Sequence, residues 1–185
     1  ILQSSLKNEP EFLRQIVGHG KSLAENLGKK IEFETSYRLD DGQVSARAIK
    51  IIFDALLHLV RNAVDHGVER VGKIKIEIVS AAAAAEAGKI FVRVSDDGRG
   101  IDLEKVRLKA VEKSLIAAEA DLSERETLSL IFAHGFSTGE TVTEISGRGV
   151  GLDAVKDAVE KAGGEIRVES ILCEGTTFEI WLAEK

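Results

Sequence analysis

Apolar positions recur along this chain with two periods, and each period predicts a type of element. Between Pro10 and Lys29 they fall at helical spacing: Phe12, Leu13, Ile16 and Val17 form one stripe, and Pro10 stands after Asn8 like a first-turn proline. Gly20 interrupts that helix at a propensity cost of about 1 kcal/mol. Ile31 to Tyr37 alternates apolar with polar and predicts a strand, followed by a turn at Asp40-Asp41-Gly42. A long helix is predicted from about Ala46 to His66. Lys73 to Val79 and Ile90 to Ser95 alternate as two strands, and the alanine-rich stretch 81–88 between them reads as a turn or hairpin extension. Asp102 to Lys113 is helical. Ser123-Glu124-Arg125-Glu126 is a capping-box pattern that opens a helix to about Ala133. A further helix runs from Val150 to Ala162 and ends at Gly163-Gly164. Strands at Glu165–Ser170 and Thr176–Leu182 follow, with Glu174-Gly175 in the bend.

Strands joined by short connections pair antiparallel. The element order therefore predicts a two-layer α/β (α+β) sandwich, in which a mixed, mostly antiparallel sheet is covered on one face by helices. Residues 1–29 form a helical segment packed on, or leading into, a domain of residues 30–185. The stretch from about 101 to 146 is long, polar and glycine-punctuated, as expected of a lid over a site.

Composition narrows the function. A net charge of −6 argues against general binding to nucleic acid or acidic membrane, so any polyanion site must be a local patch. No apolar run approaches membrane-spanning length. No signal peptide is legible, the first residue is Ile1, and the chain reads as a piece of a longer cytoplasmic protein. A lone cysteine, Cys173, excludes an internal disulfide and a cysteine-based metal cluster.

The chemistry is concentrated in three places. On the long helix, His58, Asn62 and His66 recur every four residues and Asp65 joins them, which makes a polar stripe opposite Leu56, Leu59, Val60, Ala63 and Val64. Such a row suits a hard cation and phosphate better than bulk water, although buried structural histidines would read the same way. Gly67 stands where a left-handed cap would end the helix. Zinc bound by both His58 and His66 is excluded by their separation of about 12 Å along the helix. Second, Asp96-Asp97-Gly98-Arg99-Gly100 leaves a strand directly. Its glycines would let backbone approach a flat ligand, and Asp96 could accept from an exocyclic amine; a plain turn fits the same residues. Third, Gly147-Arg148-Gly149-Val150-Gly151 runs into a helix, whose N-terminal amides would form an anion site. Lys105 and Lys109 share a helix face and either reach phosphate or are simply solvated.

Taken in order, His58 to Glu69, Asp96-x-Gly98-x-Gly100, Gly135-Phe136-Ser137-Thr138, Ser146-Gly147-Arg148-Gly149-Val150-Gly151-Leu152-Asp153-Ala154-Val155 and Gly175-Thr176-Thr177 resemble the GHKL (Bergerat-fold) ATP-binding superfamily. Within it they resemble the CheA-type chemotaxis histidine kinases, from about Gly28 to Leu182. The resemblance implies an ATP-dependent protein-histidine kinase domain of a two-component system. It would hold Mg-ATP and transfer the γ-phosphoryl to a histidine on a separate phosphotransfer domain, with a response regulator served through that domain. Dimerisation and coupling-protein domains would lie elsewhere. It implies Asn62 as the Mg²⁺ ligand and His58 as a proton acceptor near the γ-phosphate. Arg61, Asp65 and His66 would line the nucleotide, and Asp96 would hold the adenine amine. Gly98 and Gly100 would shape the base pocket, Lys105 and Lys109 would approach phosphates, and Ser137, Thr138 and Arg148 would also bind the nucleotide. Gly147, Gly149 and Gly151 would cradle the triphosphate and Thr176 would support the floor. An ATP-hydrolysing conformational switch and a non-catalytic nucleotide-sensing scaffold remain alternatives. Two departures from the group stand out: the segment after Glu69 is short, and Asp54-Ala55 replaces a frequent Asp-Pro.

Overall fold

The structure is a computed structural model that describes residues 9–39, 44–80, 89–136 and 151–183. The expected turn at Asp40-Asp41-Gly42 and the alanine-rich stretch 81–88 lie outside the described residues. Helix α1 (Glu11–Asn26) leads to strand β1 (Lys30–Arg38), helix α2 (Ala46–Asn62) and a π-turn (Ala63–Gly67). Strands β2 (Val71–Ser80) and β3 (Lys89–Asp96) follow, then helices α3 (Leu103–Glu112) and α4 (Glu124–Ser129) with a 3₁₀ turn (Leu130–Phe132). Helix α5 (Leu152–Lys161) and strands β4 (Glu165–Ile171) and β5 (Gly175–Ala183) complete the order.

The five strands form one mixed sheet in the order β1-β2-β3-β5-β4. Only β1 and β2 run parallel, and α2 is the crossover that parallel neighbours require. The other three pairs are antiparallel. Alternation along each strand sorts the two faces. Ile76 lies opposite Val94, Val94 opposite Phe178, and Phe178 opposite Val168, and all four are buried. The next row, Glu77, Arg93, Glu179 and Arg167, faces outward with alternating charge. Arg93 bridges Glu179 at 2.7 Å and Glu77 at 3.5 Å.

Helices α1, α2 and α5 cover the apolar face. Helix α2 starts where the Ser45 hydroxyl accepts from the Ala48 amide, and it buries Ile52, Leu56, Leu59 and Val60. Helix α1 buries Leu13, Ile16, Gly20 and Ala24 against α2 and β1. At Gly20 a Cβ would sit 2.8 Å from the Phe33 ring and 2.9 Å from Val60, so the glycine that weakens α1 in isolation lets it pack. Helix α4 opens with the expected capping box between Ser123 and Glu126. Among the described residues no helix is long and apolar enough to cross a membrane.

Candidate nucleotide site

The polar stripe on α2 is regular only in part. His58 and Asn62 lie in ordinary α-helix, but hydrogen bonding then widens, and the Val68 amide reaches back to the Ala63 carbonyl at 2.8 Å. Asp65 and His66 therefore sit in a π-turn, to which simple four-residue spacing does not apply. The expected left-handed cap at Gly67 is not there: its φ is not positive, and the chain leaves the turn into extended Val68. Glycine is needed for a different reason. A Cβ on Gly67 would lie 2.8 Å from the Asp96 carboxyl group.

Asp96 and Asp97 are neighbours with separate work. Asp97 is exposed, and its carboxylate accepts from the Lys73 amide at 2.6 Å, tying the loop to β2. Asp96, the last residue of β3, is half-buried between Gly67 and the loop, and its Oδ1 accepts from the Gly98 amide at 3.0 Å. Burial raises its pKa to about 6, against the opposing pull of the Gly98 hydrogen bond. The Gly67 carbonyl accepts from the Arg99 amide at 3.0 Å, and a Cβ on Gly98 would lie 2.1 Å from that oxygen. Thr176 is buried opposite Asp96 in the β3–β5 register, with its hydroxyl 3.0 Å from that of Ser170. Gly100, at φ +67°, passes the Ile171 carbonyl where a Cβ would come within 2.2 Å. Asp96, Gly98, Gly100 and Thr176 are thus brought together at the end of β3, where glycines let backbone pack closely around the carboxylate.

The last two turns of α2, just before the π-turn, carry a second cluster. His58 is partly buried and its pKa is lowered, chiefly by burial and next by the Arg61 guanidinium, while the Asp153 carboxylate pulls it up. Its imidazole is therefore neutral at pH 7. Arg61 Nε donates to Asp65 at 3.3 Å. Asp153, in the first turn of α5, also meets the exposed His134 at 3.0 Å, a contact that no local sequence signal announces. Asn62 is half-buried and its side chain makes no hydrogen bond among the described residues, so its amide oxygen is available to a ligand. From His58 to Gly67 the helix spans roughly 13 Å, comparable to an extended nucleoside triphosphate.

The remaining candidates are dispersed. Lys105 is 82% exposed and bridges Asp102 at 3.3 Å. Lys109 lies over the Phe136 ring, 5.2 Å from its centroid. His66 is exposed and, with Asp65, lines a groove of about 420 Å³ beside the π-turn, together with Lys29, Val68, Glu69, Arg70 and Arg99. Gly151 is the N-cap of α5, so the glycine cluster does end on a helix N-terminus. Ser137, Thr138, Gly147, Arg148 and Gly149 lie outside the described residues. Among the described residues no cluster of His, Cys, Asp and Glu could hold a metal by itself. Sequence reasoning missed Lys29, whose ammonium reaches three carbonyls of the π-turn region across the fold.

Comparison with known proteins bears on the family and the fold. Residues 48–185 match the family model described as histidine kinase-, DNA gyrase B-, and HSP90-like ATPase. The chain is 39% identical over 168 residues to the chemotaxis protein CheA of Rhizobium meliloti, covering 88% of this chain and 22% of that protein. It is 38% identical over 188 residues to CheA of Borreliella burgdorferi, covering 97% and 22%. The chain thus spans about a fifth of the length of these curated relatives. Among solved structures, the nucleotide-free catalytic domain of histidine kinase ThkA superposes with a TM-score of 0.57 at 23% identity, covering 94% of this chain and 91% of that one. The mycobacterial sensor histidine kinase MprB gives 0.54 at 20%, covering 94% and 96%. These two likenesses concern the fold. With a helix-covered mixed sheet, a matched ATPase segment and close CheA kinship in sequence, the chain belongs to the histidine kinase-, DNA gyrase B-, and HSP90-like ATPase family.

Proposed function

We propose that this domain binds Mg-ATP along α2 and transfers the γ-phosphoryl to a histidine on a separate phosphotransfer domain, from which a response regulator is served. The observation that carries the reading is the half-buried Asp96 carboxylate at the end of β3, its pKa raised by burial, packed so closely against Gly67 and Gly98 that neither position has room for a Cβ. A carboxylate there accepts from the adenine amine, and burial strengthens that bond. The triphosphate then runs along α2 towards Asn62 and His58.

The donor set suits magnesium with a single protein ligand. The Asn62 oxygen would hold the ion, with phosphate oxygens and water completing the shell, and the bound ion would supply charge neutralisation. In the transfer, an imidazole nitrogen of the acceptor forms a bond to the γ-phosphorus as the bond to the bridging oxygen breaks, and ADP leaves with that electron pair. Neutral His58 can accept a hydrogen bond or a proton beside that centre. Arg61, the glycine-rich start of α5 and the lid of about residues 101–146 would position the phosphates, since this chemistry asks mainly for positioning and electrostatics.

Incubation with γ-labelled ATP and a cognate histidine phosphotransfer domain tests the reading. Acid-labile label on the acceptor is expected, together with magnesium-dependent ATP binding that Asn62→Ala renders independent of the ion. Label released only as free phosphate would point to a hydrolytic switch. Binding without turnover would point to a nucleotide-sensing scaffold.

A further inference from the structure

Lys29 lies between α1 and β1, outside the residues 48–185 that match the ATPase family. Its place is set by the end of α1. Gly28, at φ +66°, closes the helix: its amide donates to Glu25 at 3.0 Å and the Lys29 amide to Ala24 at 2.8 Å, a Schellman arrangement. The Lys29 side chain then crosses to the far end of α2. Its ammonium donates to the carbonyls of Val64 at 2.5 Å, Asp65 at 3.0 Å and Val68 at 2.8 Å. Three donors meet three acceptors, at a helix C-terminus, where the last carbonyls have no partner within the helix and the dipole favours a cation.

One of those carbonyls has lost its usual helical partner. In an ordinary α-helix the Val64 carbonyl would accept from the Val68 amide. Here Lys29 occupies that carbonyl and the Val68 amide goes instead to Ala63, one residue further back. Gly67 is inside this turn, against Asp96 and Gly98. We propose that Lys29 is a positioning residue for the base pocket: by occupying the Val64 carbonyl it holds residues 63–67 in the π form and so sets Gly67 against Asp96. Lys29 does not touch the base itself. The inference rests on the nucleotide reading above for its consequence in affinity, while its effect on the turn stands without that reading.

Lys29→Met keeps most of the stem and removes the ammonium. The Val68 amide should move to Val64, shifting the amide resonances of Gly67 and Val68, and the Asp96 titration midpoint should fall from about 6 towards the ordinary carboxylate value of about 4 as the pocket loosens. Affinity for a non-hydrolysable ATP analogue should drop about tenfold, the worth of a charge-assisted hydrogen bond. Ile16→Val, in the buried face of α1, provides the control: it should lower the melting temperature and leave affinity and both resonances unchanged. A folded Lys29→Met protein with unmoved Gly67 and Val68 signals would overturn the proposal, as would unchanged affinity in a domain that binds the analogue. Should Lys29→Met fail to fold, the wild-type ammonium signal of Lys29, assigned by its loss in Lys29→Arg, answers instead. Slow proton exchange and a shift on saturation with the analogue are expected, and a fast-exchanging or unmoved signal refutes the idea. If the wild-type domain binds no analogue, the nucleotide reading falls, and the Gly67, Val68 and Asp96 signals still decide whether Lys29 holds the turn.

Discussion

Gly67 and Asp96 are in contact across the candidate base pocket, so close that a methyl group on Gly67 would lie 2.8 Å from the Asp96 carboxyl carbon and Oδ1. Gly67→Ala must therefore move the carboxylate or the π-turn. Overpacking of this kind costs about 1–3 kcal/mol of stability. The larger effect should be on ATP, with affinity falling at least about tenfold if Asp96 holds the base by a charge-assisted bond. Calorimetric titration and thermal melts of the same sample separate the two losses, and intact affinity would remove Asp96 from the base pocket.

The raised pKa of Asp96 makes a signed prediction about pH. The unfolded carboxyl titrates near 3.8 and the folded one near 6, so between these values the folded state binds more protons. Its protonated form favours folding fully below about 3.8, and that contribution is lost as pH rises through about 6. Asp96→Asn should accordingly stabilise the ligand-free domain above pH 6, by about 1–2 kcal/mol after allowing for solvent screening of a half-buried group, with the gain vanishing near pH 4. The same substitution should weaken ATP by roughly 1.5–3 kcal/mol and GTP by less. Melting curves at pH 4 and pH 8 check the first statement, and paired nucleotide titrations check the second.

For His58 the direction is reversed. Its folded pKa lies below the ordinary 6.5, so the unfolded state takes up the proton first and stability falls as pH drops below 6.5. Removing the Asp153 charge with Asp153→Asn takes away the influence that pulls the pKa up, and the midpoint should fall further. Arg61→Leu should raise it. A proton titration of the His58 ring signal in the three proteins gives the order; a midpoint indifferent to both substitutions would mean that neither charge faces the ring.

Gly20 sets intrinsic helix preference against packing. Alanine there would gain about 1 kcal/mol of propensity, yet its Cβ would press on Phe33 and Val60 at 2.8 and 2.9 Å. Since Phe33 is on β1 and Val60 on α2, relief requires both side chains to shift or α1 to move away from them. Gly20→Ala should be net destabilising by about 1–2 kcal/mol, measured as a lower denaturant midpoint at constant slope.

These residues mark how far local reading reaches. The period-two strands, the Ser123 capping box and the apolar face of α2 were legible because each depends on side chains within a turn or two of one another. Gly67 was noticed and its reason misread, since the side chain that excludes a Cβ belongs to Asp96, far along the chain. The same holds for Gly20, which looks like a weakness until Phe33 and Val60 are beside it. Lys29 carried no signal, because a lone lysine after a glycine resembles any solvated charge until three carbonyls of a distant turn surround it.

By itself the sequence determined which segments are helix and which are strand, the sign of the charge, and the order of motifs that marks an ATP-binding domain, because periodicity, caps and glycine clusters act over a few residues. Tertiary structure alone decided the strand order β1-β2-β3-β5-β4, the parallel pairing of β1 with β2, the widening of α2 into a π-turn and the burial that lifts Asp96. Each of these depends on which distant groups share a carbonyl, a cavity or a sheet edge, and that competition is settled only when the whole chain packs.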